Sequence, residues 1–210
     1  MKIGIALGGG GAKGLAHIGV LKVLQQRGIV PDMVSGTSIG ALVGALYLVR
    51  GDILEVEAYA RSFENSNLYP HLVPRPSSSG MISEKRIQAF LHGLFETKRI
   101  QDLARPFFCP AVDIRSGREV MFERGSLQRA VRASISVPVI FKPVRLRASY
   151  LVDGGLLNPV PVDILKKKGA DFVIAVNVIP ARPMRQRQRR KANVKEKLLL
   201  ARLDDFISRK

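Results

Sequence analysis

The chain has 210 residues, 46% of them hydrophobic and 24% charged, and a formal net charge of +17. That balance is ordinary for one soluble globular domain with a sizeable core. The single cysteine, Cys109, excludes an internal disulfide framework; set in Phe107-Phe108-Cys109, it reads as a buried structural thiol, which fits a reducing cytoplasm.

Ile3 to Leu7 reads as a buried strand starting almost at Met1. No long apolar core or small-residue cleavage site accompanies it, so no secretory signal is expected. The strand runs into Gly8-Gly9-Gly10-Gly11-Ala12-Lys13-Gly14. Leu15 to Gln26 follows as a helix, with Leu15, Ile18, Leu21 and Leu24 at helical spacing and Gly28 as the stop. Pro31-Asp32 opens a second strand that ends at Gly36-Thr37-Ser38-Ile39-Gly40. Ala41 to Arg50 and Ile53 to Phe63 read as helices. The longest nearly apolar stretch, Ile39 to Val49, is about half of the ~20 residues a membrane-spanning helix needs, so no span is expected.

Asn65 to Gly80 holds Pro70, Pro74, Pro76 and three consecutive serines, which marks an exposed loop and a candidate flap over a site. Ser83 caps a helix over Glu84 to Phe95. Pro106 to Ile114 and Glu119 to Phe122 read as strands joined through Arg115-Ser116-Gly117. Ser126 caps a short helix from Leu127 to Ala133. Tyr150-Leu151-Val152 is a short strand delivering Asp153. Val160 to Lys168 reads as a helix stopped by Gly169, and Asp171 to Val178 as a strongly apolar strand. The β-α-β-α order suggests a parallel sheet covered on both faces. The folded domain is expected over residues 1–180, followed by a basic tail over 181–210 with a helix at about Val194 to Ile207. From Ile179 onward there are 11 basic and 3 acidic residues. The densest block, Arg182 to Lys191, suits anionic lipid head groups, nucleic-acid phosphates or a plain solvated connector. No base-reading module accompanies it, which puts nucleic acid last.

Gly36-Thr37-Ser38-Ile39-Gly40, between an apolar strand and an apolar helix, has the layout of a nucleophile elbow. Glycines at Gly36 and Gly40 allow the cramped turn. The upstream glycine loop has three readings. A phosphate-binding NTPase loop needs Gly-Lys followed by Ser or Thr, whereas Gly14 follows Lys13. A dinucleotide fold wants an acid at the end of the second strand, whereas Asp32 begins it. The third reading is an oxyanion hole in the loop Gly9-Gly10-Gly11, with the N–H groups of Gly10 and Gly11 as donors and Lys13 ordering the loop or adding positive potential.

A serine hydroxyl needs a proton acceptor. His17 reads as a packing or hydrogen-bonding residue, and His71 and His92 lack any companion feature. Asp153 fits, with Gly154-Gly155 leaving room beside its carboxylate, although Asp-Gly alone is an ordinary turn dipeptide. Asp113 is the competing carboxylate, read here as a turn former.

Taken in order, the glycine loop running into Gly14-Leu15-Ala16-His17-Ile18-Gly19-Val20-Leu21, the elbow Gly36 to Gly40, and Asp153-Gly154-Gly155 with Asn158-Pro159-Val160-Pro161-Val162-Asp163 resemble the patatin-like phospholipases, particularly compact bacterial members. Ala133-Ser134-Ile135-Ser136-Val137-Pro138 with Phe141-Lys142-Pro143-Val144 resembles the family's segment beneath the active site. The resemblance covers Ile3 to about Val178. It implies a three-layer α/β/α sandwich with a mainly parallel central sheet, a Ser38–Asp153 dyad working without metal or cofactor, and hydrolysis of lipid acyl esters. Many relatives carry further folded sequence where this chain has its basic tail. The rivals are a transacylase using the same residues and a non-catalytic lipid-binding module. A cytoplasmic protein, peripheral on an anionic inner membrane face through its tail, is the expected setting.

Overall fold

The computed structural model describes residues 1–64 and 83–179. The expected loop at 65–80, His71, the basic block at 182–191 and the expected terminal helix at 194–207 lie outside the described residues. Seven strands form one sheet: β1 (Ile3–Leu7), β2 (Met33–Gly36), β3 (Phe107–Asp113), β4 (Arg118–Phe122), β5 (Val144–Leu146), β6 (Ser149–Asp153) and β7 (Phe172–Val176). Among them run helices α1 (Ala16–Gln26), α2 (Ile39–Arg50), α3 (Ile53–Glu64), α4 (Glu84–Phe95), α5 (Leu127–Ser134) and α6 (Val162–Lys167).

The centre of the sheet, β7-β1-β2-β3, is parallel, with Ile5 opposite Ile174 and Val34, and Ser35 opposite Phe108. Such strands are covered on both faces, which is why they read as unbroken apolar runs rather than alternating ones. Ile5, Leu7, Val34, Phe107 and Cys109 face the larger core, which takes in buried side chains from α1 to α5. Ala6, Met33 and Phe108 point the other way, onto Ile164 and Leu165 of α6. The three expected layers are therefore present but unequal, and among the described residues the second helical layer is short.

Antiparallel strands complete the sheet, β4 and β6 pairing with β3 and β5 with β6. Along β3 the peptide groups of alternate residues address opposite edges. The Pro106 carbonyl accepts from Val34 N–H, and Ile114 N–H donates to the Tyr150 carbonyl. Both are even-numbered, so β2 and β6 share one edge of β3 and approach each other head-on. Pro110 lies between the two contacts. A proline inside a central strand ordinarily removes a ladder bond; here its missing N–H faces the gap between β2 and β6. That gap is where the C-terminal ends of the two strands meet.

Strand β5 and its turn into β6 escape the sequence reading, which has only the second strand of that hairpin. The turn is Arg147-Ala148, with Arg147 at φ 53°, and carries none of the Asn or Gly that mark such turns.

Candidate functional site

The end of β2 is pinned before it turns. Thr37 N–H donates to the Leu7 carbonyl at 3.0 Å, and its hydroxyl donates to the Asn158 carbonyl at 2.8 Å. Ser38 then adopts φ 55°, ψ −124°, a conformation costly for any residue with a side chain. The backbone on either side of Ser38, at Gly36 and Gly40, is packed too closely for a side chain. A Cβ on Gly40 would stand 2.1 Å from the Leu7 carbonyl oxygen, and one on Gly36 would stand 2.4 Å from that of Gly40. The turn thus brings α2 directly over β1. Ser38 is the N-cap of α2, but its hydroxyl does not cap the helix; it donates to Asp153 Oδ2 at 2.6 Å. With no acidic residue in the first turn of α2, the positive end of the helix dipole is left open at Ser38.

Asp153 closes β6 opposite Ala111 of β3 and is buried. Its Oδ1 accepts the Gly155 N–H at 2.7 Å. Burial pushes its pKa above the ordinary carboxylate value, and the bonds from Ser38 and Gly155 offset only part of that. Gly154 sits against β3: a Cβ there would be 2.3 Å from the Pro110 carbonyl oxygen. A carboxylate disposed to take a proton therefore touches the strained serine hydroxyl.

The glycine loop lies alongside. A Cβ on Gly9 would be 3.4 Å from Ser38 Cβ. Gly9 shapes the loop without offering its N–H, which is engaged by the Pro159 carbonyl at 2.9 Å. Among the described residues no backbone acceptor takes the N–H of Gly10 or Gly11. Gly11 has φ +58° and open space where a side chain would start. Lys13 is exposed on the following 3-10 turn. His17 is fully buried with Nε2 2.7 Å from the Gly8 carbonyl, so it braces the loop; burial lowers its pKa.

Asp32 and Asp113 are bonded to the turns and strands beside them. Asp32 accepts the Ile3 N–H at 2.6 Å. Asp113 accepts from Ser116 and Ser149 hydroxyls and from the Arg115 and Tyr150 N–H groups. Burial alone would raise its pKa, but those four donors hold it below the ordinary value. Cys109 is buried, its thiol pushed up to about 12, mainly by desolvation. Sequence reasoning missed Ser134, whose hydroxyl accepts the Ser38 N–H at 3.0 Å; its only signal is the segment Ala133 to Pro138 that carries the resemblance. A recess of about 320 Å³ bounded by Ile100, Pro106 and Arg124 lies at the start of β3 and includes none of these groups.

A family model described as patatin-like phospholipase matches residues 5–166. The chain belongs to the patatin-like phospholipase family. It is 34% identical over 177 residues to an uncharacterized NTE family protein of Mycobacterium tuberculosis, covering 84% of this chain and 49% of that protein. Patatin-like phospholipase domain-containing protein 6 of Homo sapiens is 37% identical over 181 residues, covering 84% and 13%. Lysophospholipase nte1 of Aspergillus fumigatus is 35% identical over 179 residues, covering 84% and 12%. The chain thus spans about half or less of these relatives' lengths. Among solved structures, VipD from Legionella pneumophila superposes with a TM-score of 0.56 at 14% identity, covering 74% of this chain and 46% of that one. That likeness concerns the fold. No described helix is long and apolar enough to cross a membrane.

Proposed function

We propose that this chain hydrolyses carboxylic esters of lipids through an acyl-serine intermediate, with Ser38 as nucleophile and Asp153 as base. The 2.6 Å contact between these two side chains carries the reading. Ser38 attacks the ester carbonyl while Asp153 takes its proton. Negative charge then builds on the carbonyl oxygen, stabilised by the N–H groups of Gly10 and Gly11 and the N-terminal end of α2. One such donor is worth about 3 kcal/mol of barrier. The tetrahedral intermediate collapses as the alcohol leaves with the proton from Asp153. Water next attacks the acyl-serine, Asp153 accepting its proton, and that proton returns to Ser38 as the acid departs.

A lipid substrate is supported by the family and by the name of the fungal relative. It is also supported by exposed apolar side chains next to the site in sequence: Leu15 after the glycine loop, and Leu156 and Leu157 after Gly155. Residues 1–180 act as the catalytic unit. The basic tail at 181–210 contacts anionic lipid, holding the protein peripherally on a membrane face. Deleting 182–191 should abolish binding to anionic liposomes; undiminished binding would refute the tail's part.

Ser38→Ala and Asp153→Asn should each lower turnover of p-nitrophenyl butyrate and of a lysophospholipid by about a thousandfold or more, with the fold intact by circular dichroism. Retained activity in Asp153→Asn would move the base elsewhere. Products in which the acyl group sits on an added lysolipid rather than on water would make the protein a transacylase.

A further inference from the structure

The two members of the dyad come from distant parts of the chain, yet their main chains are held by residues two apart. Ser38 N–H donates to the Ser134 hydroxyl at 3.0 Å, and Asp153 N–H donates to the Ser136 carbonyl at 3.0 Å. Both serines are fully buried. They flank the end of α5, where Ile135 N–H reaches Val131, Ser136 N–H reaches Ala133 and Val137 N–H reaches Ile135. The three-residue span is thus tied by main-chain bonds to the last turn of α5. We infer that Ser134–Ser136 is a clamp that sets the distance between nucleophile and base, with Ser134 a positioning residue for catalysis.

Arg132 braces the clamp from one turn back. Its Nη1 donates to the Ser136 hydroxyl at 2.6 Å, which in turn donates to the Arg132 carbonyl at 2.7 Å. Nη2 donates to Glu84 Oε2 at 2.6 Å, in the first turn of α4, and to the Lys142 carbonyl at 3.0 Å, while Nε donates to Glu84 Oε1 at 3.3 Å. The guanidinium also lies over the Phe141 ring. A buried guanidinium so fully bonded fixes what it touches, because releasing any one partner leaves an uncompensated polar group. The segment beneath the site is therefore held from both sides, by α4 and by the stretch around Phe141 and Lys142.

This arrangement predicts a specific asymmetry. Ser38 sits in a strained conformation and relaxes if its N–H loses its acceptor, whereas Asp153 stays on Ser136. Removing the Ser134 hydroxyl thus lengthens the Ser38–Asp153 contact without altering the surface that receives substrate. A merely structural role would lower stability or the fraction of folded protein, not turnover per intact site.

The clamp rests on the Ser38–Asp153 reading, and one experiment separates the two. Active serines are titrated with a fluorophosphonate in wild type, Ser134→Ala, Arg132→Lys and Ala130→Gly, and kcat and KM for p-nitrophenyl butyrate are expressed per titrated serine. Ala130 is buried on the same helix and its side chain has no polar atom to bond either dyad member, so its variant reports the loss of helix and packing stability. Ser134→Ala should lower kcat about tenfold at unchanged KM, and Arg132→Lys, which keeps the charge but loses the fork, about threefold. Ala130→Gly should keep the wild-type kcat per site. Wild-type protein that takes no label at Ser38 would end the dyad reading and the clamp with it. Normal labelling with Ser134→Ala within twofold of Ala130→Gly would overturn the clamp alone.

Discussion

Substituting Gly154 by alanine tests whether β6 must lie as close to β3 as the site requires. The new Cβ would stand 2.3 Å from the Pro110 carbonyl oxygen and 2.8 Å from its carbon, both under the 3.0 Å that real Cβ atoms respect. Both groups are main chain, so relief needs backbone movement of about 0.7 Å or more. Asp153 immediately precedes this residue, and its 2.6 Å bond to Ser38 has little slack. A misplacement of about 1 Å costs on the order of a hundredfold in rate, or about 2.7 kcal/mol of barrier. Gly93→Ala is the counterpart: that glycine lies exposed within α4 with nothing within 4 Å of a built Cβ. It should gain up to about 1 kcal/mol from helix propensity and leave kcat unchanged. Initial rates on p-nitrophenyl butyrate, paired with thermal melts, read both effects. A Gly154→Ala protein with wild-type kcat would refute the geometric reasoning.

The pH dependence of rate should show an acid limb with its midpoint above the ordinary carboxylate range, because Asp153 as the proposed base must be ionised to take a proton and burial raises its pKa; a midpoint near 4 would contradict this. The same shift makes folded wild type lose stability as pH rises from about 3.9 through the raised pKa. Asp153→Asn should therefore melt progressively higher than wild type over that window, with no difference below it. His17 works in the opposite sense: its lowered pKa means stability is lost as pH falls below about 6.5. A His17→Gln variant whose melting point fell as steeply below pH 6.5 would disprove that assignment. Asp113→Asn should lower the melting temperature yet retain turnover, since its carboxylate serves the turn at Arg115 and Ser116; lost turnover in folded protein would reopen the choice of base.

The candidate site is legible in sequence where its geometry is local. A strained serine between two glycines and a carboxylate ahead of Gly154-Gly155 are patterns of adjacent residues, and each reflects a close backbone contact. What sequence alone leaves hidden is long-range bonding. Gly9 looks equivalent to Gly10 and Gly11 until the Pro159 carbonyl, distant along the chain, takes its N–H. Ser134 is one serine in a short helix until the elbow lies over it. Strand β5 is three residues long with an Arg-Ala turn, too short for any periodicity. Pro110 would argue against a central strand, and only the head-on approach of β2 and β6 explains its place there.

Peptide mapping after fluorophosphonate treatment bears most directly on the proposed pairing of residues 38 and 153. The account predicts one adduct, on Ser38, absent from Ser38→Ala and formed far more slowly in Asp153→Asn. An adduct on any other residue, or equal labelling of the three proteins, would contradict it.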